Sequence, residues 1–237
     1  MSNQYLVDIR FKTRAQRSPR VLEVAEAFGI GLEEKDFVVF DNETYTINKG
    51  DVVYITGQSG GGKSVLLREL ARQMAERGQS VINLDNIVFE DCALVDQIGK
   101  NTDDGLRLLG MAGINDAHLW VRKPSELSDG QRYRLRLAKA METGAEVWVA
   151  DEFLAVLDRT SAKVIAFSLQ NQARRMGATV LVATTHTDMK PDLFPSLVVD
   201  KRFREQVRAE YFEDAARQAA ETAMTRQDIN ELLLKGI

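Results

Sequence analysis

An apolar run, Val52-Val53-Tyr54-Ile55-Thr56, leads directly into Gly57-Gln58-Ser59-Gly60-Gly61-Gly62-Lys63-Ser64. These eight residues match the phosphate-loop pattern G-x-x-x-x-G-K-[ST] in full. Glycines let backbone N–H groups converge on a polyphosphate without Cβ clashes. A helix N-terminus after the loop adds the positive end of its dipole. Lys63 is placed to reach the β- and γ-phosphates, and the Ser64 hydroxyl to ligate Mg²⁺. The flanks agree with this reading. Val52–Thr56 has the length and composition of a buried strand. Ser64–Arg77 reads as a helix, with Leu66, Leu70 and Met74 at four-residue spacing and Gly78 as its stop.

The rest of the chain continues the alternation of short apolar runs and amphipathic stretches, which predicts a mainly parallel sheet covered by helices, an α/β fold. Strands are expected at Val81–Leu84, Val147–Ala150, Val180–Ala183 and Leu197–Val199. Helices are expected over residues 103–121, over Gln131–Thr143 closed by Gly144, and over Thr160–Met176 closed by Gly177. With 44% hydrophobic and 28% charged residues, the chain has the balance of a soluble globular protein rather than a disordered one. No apolar run approaches the ~20 residues of a membrane-spanning helix. The opening MSNQYLVDIRFK lacks the apolar core of a secretory leader. Cys92 is the sole cysteine, which excludes a disulfide framework and points to a reduced, cytoplasmic compartment. The net charge of −4 argues against a globally basic nucleic-acid binder. Charge is uneven, however. Residues 1–20 hold Arg10, Lys12, Arg14, Arg17 and Arg20 against Asp8 and read as a basic N-terminal arm. Residues 205–237, rich in Ala, Glu, Gln and Arg, read as a helical tail whose Ile229, Leu232 and Leu233 would dock on the body or a partner.

A second chemical element is the apolar strand Val147-Trp148-Val149-Ala150, which ends in Asp151-Glu152. Asp151 is placed to hold Mg²⁺, and Glu152 to orient and deprotonate an attacking water. Side chains alternate along a strand, so the two acids are expected to point differently.

Together with these two elements, Leu127-Ser128-Asp129-Gly130-Gln131 resembles the signature of the ABC-type ATPases, usually LSGGQ. The resemblance covers roughly residues 20–200. It implies a P-loop NTPase of the ABC type spanning 21–204, with a short helical insert around 86–145. It also implies ATP and Mg²⁺ as ligands, and hydrolysis at the interface of a nucleotide-sandwiched homodimer. Lys63, Ser64, Asp151, Glu152 and His186 of one copy would then work with Ser128 and Gly130 of the other. Asp129 departs from the usual glycine. Ala155-Val156-Leu157-Asp158 resembles the family's D-loop, and Thr184-Thr185-His186 its switch histidine. Phe28, 35 residues before Lys63, resembles the adenine-stacking aromatic, with Phe37, Phe40 and Tyr45 as competitors. The family's Q-loop glutamine has no clear counterpart; Glu90 and Gln97 are the candidates. His118 reads as a surface residue, and Arg132, Arg134 and Arg136 as a solvated helix face.

The closest likeness is to stand-alone soluble members of the family, some fused to an acetyltransferase-like domain. Ser128 follows Lys63 by only 65 residues, a short span for gripping a membrane partner. The expectation is a soluble ATPase that drives or regulates a partner, such as an acetyltransferase-like or nucleic-acid-modifying enzyme. The alternative is the ATP-binding energy subunit of a membrane transporter.

Overall fold

The computed structural model describes residues 3–202, 205–213, 215 and 217–222. It divides the chain into two compact units, one ending at Thr46 and the other beginning at Ile47.

The first unit is built on an antiparallel ladder between β1 (Gln4–Thr13) and β2 (Lys35–Thr46), with Gln4 opposite Thr46 and a register shift between Val7 and Arg10. Tyr5, Val7, Phe40 and Tyr45 are buried. Between the strands, α1 (Pro19–Phe28) starts at Ser18, whose Oγ accepts from the Val21 N–H at 3.3 Å. Pro19 fits the first helical position because its missing N–H would have no intrahelical partner. Gly29 ends the helix at φ 62°. The expected basic arm over residues 1–20 is therefore largely a strand. A strand needs its ladder partner, and that partner lies beyond residue 20, so the division falls after Thr46 rather than after residue 20. Arg10 is engaged within this ladder region, bonded to Asp8 at 3.0 Å and paired with Asp41.

The second unit is a six-stranded sheet. In chain order its elements are β3 (Val52–Thr56), α2 (Lys63–Glu76), β4 (Val81–Asn83), α3 (Leu94–Gln97), α4 (Thr102–Met111), α5 (Ala117–Trp120), α6 (Asp129–Thr143), β5 (Val147–Ala150), α7 (Arg159–Met176), β6 (Thr179–Ala183), α8 (Lys190–Leu193), β7 (Leu197–Asp200) and β8 (Arg208–Tyr211). The spatial order is β4-β5-β6-β3-β7-β8, parallel from β4 to β7, with β8 antiparallel at the edge. All residues of β3, β5 and β6 are buried, as expected for a parallel sheet covered on both faces. Leu137, Leu169, Trp148, Tyr54 and Val180 belong to one core cluster that joins helices to sheet. The loops after β3, β4, β5 and β6 leave from the carboxyl ends of neighbouring parallel strands, where open α/β sheets place their ligands.

Two expected helices differ. The stretch 103–121 is broken into α4 and α5, because Gly113 takes φ 87° and Ile114 N–H closes back on Leu109 O at 2.9 Å. The expected tail helix begins with β8 instead, where pairing with β7 overrides the helical composition of Arg-Ala-Glu-Tyr. Residues 217–222 are helical. Ile229, Leu232 and Leu233 lie outside the described residues.

Candidate active site

The phosphate loop is shaped by backbone contacts. Gly57 sits at φ 129°, and a Cβ there would lie 2.0 Å from the Lys201 carbonyl oxygen. That carbonyl is fixed in turn, because the Lys201 N–H donates to Thr56 O at 2.9 Å in the register of β3 and β7. Gly60 and Gly62 also take positive φ. Lys63 opens α2 and is buried, and its ammonium donates to Gln58 O at 2.7 Å across the loop. Burial lowers its pKa, and the Asp151 and Glu152 charges oppose that shift. The buried cation sits where a polyphosphate would take over as its partner.

Opposite the loop, β5 brings Asp151 against α2, and the Ser64 hydroxyl donates to Asp151 Oδ1 at 2.9 Å. The chain then turns sharply, with Glu152 at φ 46° and Leu154 at φ 59°. Such backbone is strained in residues other than glycine, and such strain clusters at functional sites. Two bonds hold the turn: Glu152 N–H to Asp151 Oδ1 at 3.0 Å, and Phe153 N–H to Ala183 O at 2.8 Å on β6. The sequence-based expectation that strand alternation separates the two acids is corrected here. The strand stops at Ala150, and the left-handed turn is what directs Glu152.

These walls enclose a cleft of about 460 Å³, lined by Ser59, Gly60, Gly62, Lys63, Ser64, Val65, Asp151, Glu152, Ala155, Ala183, Thr184 and Thr185. A hydroxyl and a carboxylate side by side are hard oxygen donors that fit Mg²⁺, whose remaining ligands are typically phosphate and water. Among the described residues no group of three or more His, Cys, Asp or Glu could hold a metal unaided. The donor set therefore fits a cation completed by a bound polyphosphate. The next residue after Thr185, His186, is anchored through its main chain. Its N–H donates to Thr184 Oγ1 at 3.2 Å, and its carbonyl accepts from Tyr54 OH and, at 3.2 Å, from Thr56 Oγ1.

Other expected residues lie elsewhere. Ser128 caps α6 in a reciprocal box, with Ser128 Oγ accepting from Gln131 N at 3.3 Å and Gln131 Oε1 accepting from Ser128 N at 3.0 Å. Asp129 is paired with Arg132 at 3.0 Å, so the signature carboxylate carries its own counter-charge. Ser128, Gly130, Asp158 and His186 are not among the residues lining the cleft. Asp158 caps α7, accepting from Ser161 N at 2.9 Å; the Ser161 hydroxyl first, and this backbone bond second, hold its carboxyl below the usual range. Phe28 is 76% exposed at the end of α1, whereas Phe40 and Tyr45 are core residues of the first unit. His118 is exposed on α5.

Neither Q-loop candidate lines the cleft. Gln97 instead clamps its own loop, accepting from Glu90 N at 3.1 Å and donating to Cys92 O at 3.1 Å. The residue that follows β4 toward the acids is Asp85, whose Oδ2 accepts from Asp151 N at 2.7 Å. Burial raises the Asp85 carboxyl pKa, against the opposing pull of that bond and of Arg136. Sequence reading missed Asp85, although a carboxylate just after a strand was a visible signal. In the arginine string Arg132 is exposed and paired with Asp129, whereas Arg134 and Arg136 are half-buried, Arg134 donating to Gly113 O at 3.1 Å and Arg136 lying beside Asp85.

No family model matches the chain. The chain is similar to the cytochrome c biogenesis ATP-binding export protein CcmA of Reclinomonas americana, at 27% identity over 179 residues, covering 64% of this chain and 80% of that protein. It is also similar to the spermidine/putrescine import ATP-binding protein PotA of Mannheimia succiniciproducens, at 30% identity, covering 62% of this chain and 47% of that one. Among solved structures, the dimeric ATP-binding cassette MJ0796 bound to ADP and Pi superposes with a TM-score of 0.60 at 18% identity, covering 88% of this chain and 98% of that one. The fold is that of the ABC-type ATPase cassettes, an α/β P-loop architecture.

Proposed function

We propose that the chain is an ABC-type ATPase that hydrolyses Mg-ATP between two copies of itself and passes the resulting motion to a membrane transporter partner. The observation that carries the enzymatic part is the bond between Ser64 and Asp151, which joins the phosphate loop to the acidic turn across one cleft. The loop N–H groups and the dipole of α2 bind the phosphates. Lys63 exchanges Gln58 O for phosphate oxygens. Ser64 and Asp151 would hold Mg²⁺, which offsets charge on the phosphates during transfer. Glu152 orients the attacking water and takes its proton, and His186, one residue beyond the cleft lining, would contact the γ-phosphate, as its resemblance to the switch histidine implies. Ser128 and Gly130 of a second copy close the site with a capped helix N-terminus. Positioning and electrostatics of this kind supply most of the catalysis of phosphoryl transfer.

The transport reading rests on the relatives, named as ATP-binding components for export or import. Among the described residues no helix is long and apolar enough to cross a membrane. The alternative is a soluble partner such as an acetyltransferase-like or nucleic-acid-modifying enzyme, which the names of CcmA and PotA do not support. The short span from Lys63 to Ser128 is what favours that second reading. The test is capture of partners on the Glu152→Gln variant with Mg-ATP, with and without detergent-solubilised membranes. Recovery of an integral membrane protein is the expected result. Recovery of a soluble enzyme alone overturns the transport reading while leaving the ATPase assignment standing.

A further inference from the structure

Beside the nucleotide cleft lies a second cavity of about 520 Å³, whose wall includes Asp85, Tyr133, Arg136, Asp151 and Glu152. It brings together three elements far apart in sequence: the end of β4, the acidic turn after β5 and the middle of α6. Asp85 is the joint. One carboxylate oxygen, Oδ2, accepts the Asp151 N–H at 2.7 Å. The other, Oδ1, lies 4.0 Å from Arg136 Nη1. Both side chains are about one-third exposed, so the pair is partly shielded from solvent. Asp151 in turn receives Ser64 Oγ and Glu152 N–H on Oδ1. A continuous chain of contacts thus runs from α6 through Arg136 and Asp85 to the residue placed to hold Mg²⁺.

We propose that Asp85 is a positioning residue for the metal: it fixes the backbone of Asp151, and Arg136 on the signature helix holds Asp85 in place. The reason is geometric. The acidic turn begins at Asp151 and enters left-handed backbone one residue later. Pairing of β4 with β5 stops at Asn83 and Val149, so the ladder gives the Asp151 N–H no partner, and Asp85 supplies it. Without that acceptor the N–H loses its partner, and the carboxylate that bonds Ser64 loses its fixed direction. Tyr133, nine-tenths buried on the same wall with its hydroxyl unpartnered, shows that the cavity carries polar groups beyond those the pair uses.

This inference rests on the Mg-ATP reading and deepens it, so the experiment separates the two. Equilibrium affinity for a fluorescent ATP analogue is measured with Mg²⁺ and again with EDTA, and the ratio is the Mg²⁺ enhancement. Asp85→Ala is expected to lose roughly ten-fold of that enhancement while its EDTA affinity stays at the wild-type value. Asp85→Asn keeps an oxygen acceptor and is expected to restore the enhancement to within about three-fold of wild type. Arg136→Ala should fall between the two, and it carries the test if Asp85→Ala fails to fold. A general structural role would lower both affinities together and leave the ratio unmoved. Wild-type enhancement in Asp85→Ala, or equal loss in the Ala and Asn variants, overturns the assignment. Wild-type protein that binds no nucleotide in either condition overturns the ATPase reading and this inference with it.

Discussion

The loop after β3 and the turn after β5 face the same cleft, yet they are held by different means. The loop is set by main chain, with glycines at positive φ, one of them pressed against the Lys201 carbonyl. The turn adds side chains from other elements, Asp85 after β4 and Ser64 on α2, to one main-chain bond from Phe153 to β6, around a left-handed Glu152. A main-chain cradle is suited to holding phosphate oxygens, which accept from N–H groups fixed in direction. A side-chain turn is suited to the cation and the attacking water, which act on the bond being broken. The difference teaches where binding and turnover should come apart.

Substitution on the turn should abolish turnover and spare binding. Glu152→Gln is expected to lower the ATP hydrolysis rate by about 10³-fold through loss of the base, to keep nucleotide affinity, and to accumulate dimer with Mg-ATP in light scattering. A variant that turns over at the wild-type rate breaks the comparison at its centre. Substitution in the cradle should weaken binding itself, and at its glycines damage the fold as well. Gly57→Ala places a methyl group against backbone in a conformation that side chains avoid, at an expected cost of about 3 kcal/mol in chemical denaturation. Lys63→Ala leaves the fold intact and removes the buried cation, so calorimetric titration should show nucleotide affinity down about 100-fold. The smallest effect is expected away from both walls. Ser128→Ala removes one half of the capping box on α6, at about 1 kcal/mol of stability. If Ser128 also closes the partner's site, dimer formation falls further than that loss explains, which sharpens the contrast between cap and ligand contact.

The phosphate loop was readable because eight adjacent residues contain their own geometry. The cap of α6 was equally local, yet the helix was expected only from Gln131, whereas it starts at Asp129 with Ser128 and Gln131 capping it reciprocally. The N-terminal unit was not readable, because its ladder pairs residues 4–13 with residues 35–46 and neither strand announces the other. The helix expected over 103–121 failed at Gly113, where a left-handed residue outweighed the periodicity around it. The family pattern points to Glu90 and Gln97 for the glutamine after β4, and neither lines the cleft. The structure instead places Asp85 against the acids, a juxtaposition that depends on β4 lying beside β5.

Local chemistry along the chain thus determined the strand, glycine loop and helix, the two acids and the capped signature helix. Each depends on neighbours within one turn or one strand, where backbone preference and side-chain reach are decided by adjacent residues. Tertiary structure alone decided which carboxylate supports Asp151, how Glu152 is aimed, and that Arg136 reaches Asp85. A hydrogen bond of 2.7 Å between residues 66 positions apart exists only once the sheet order has brought their strands together.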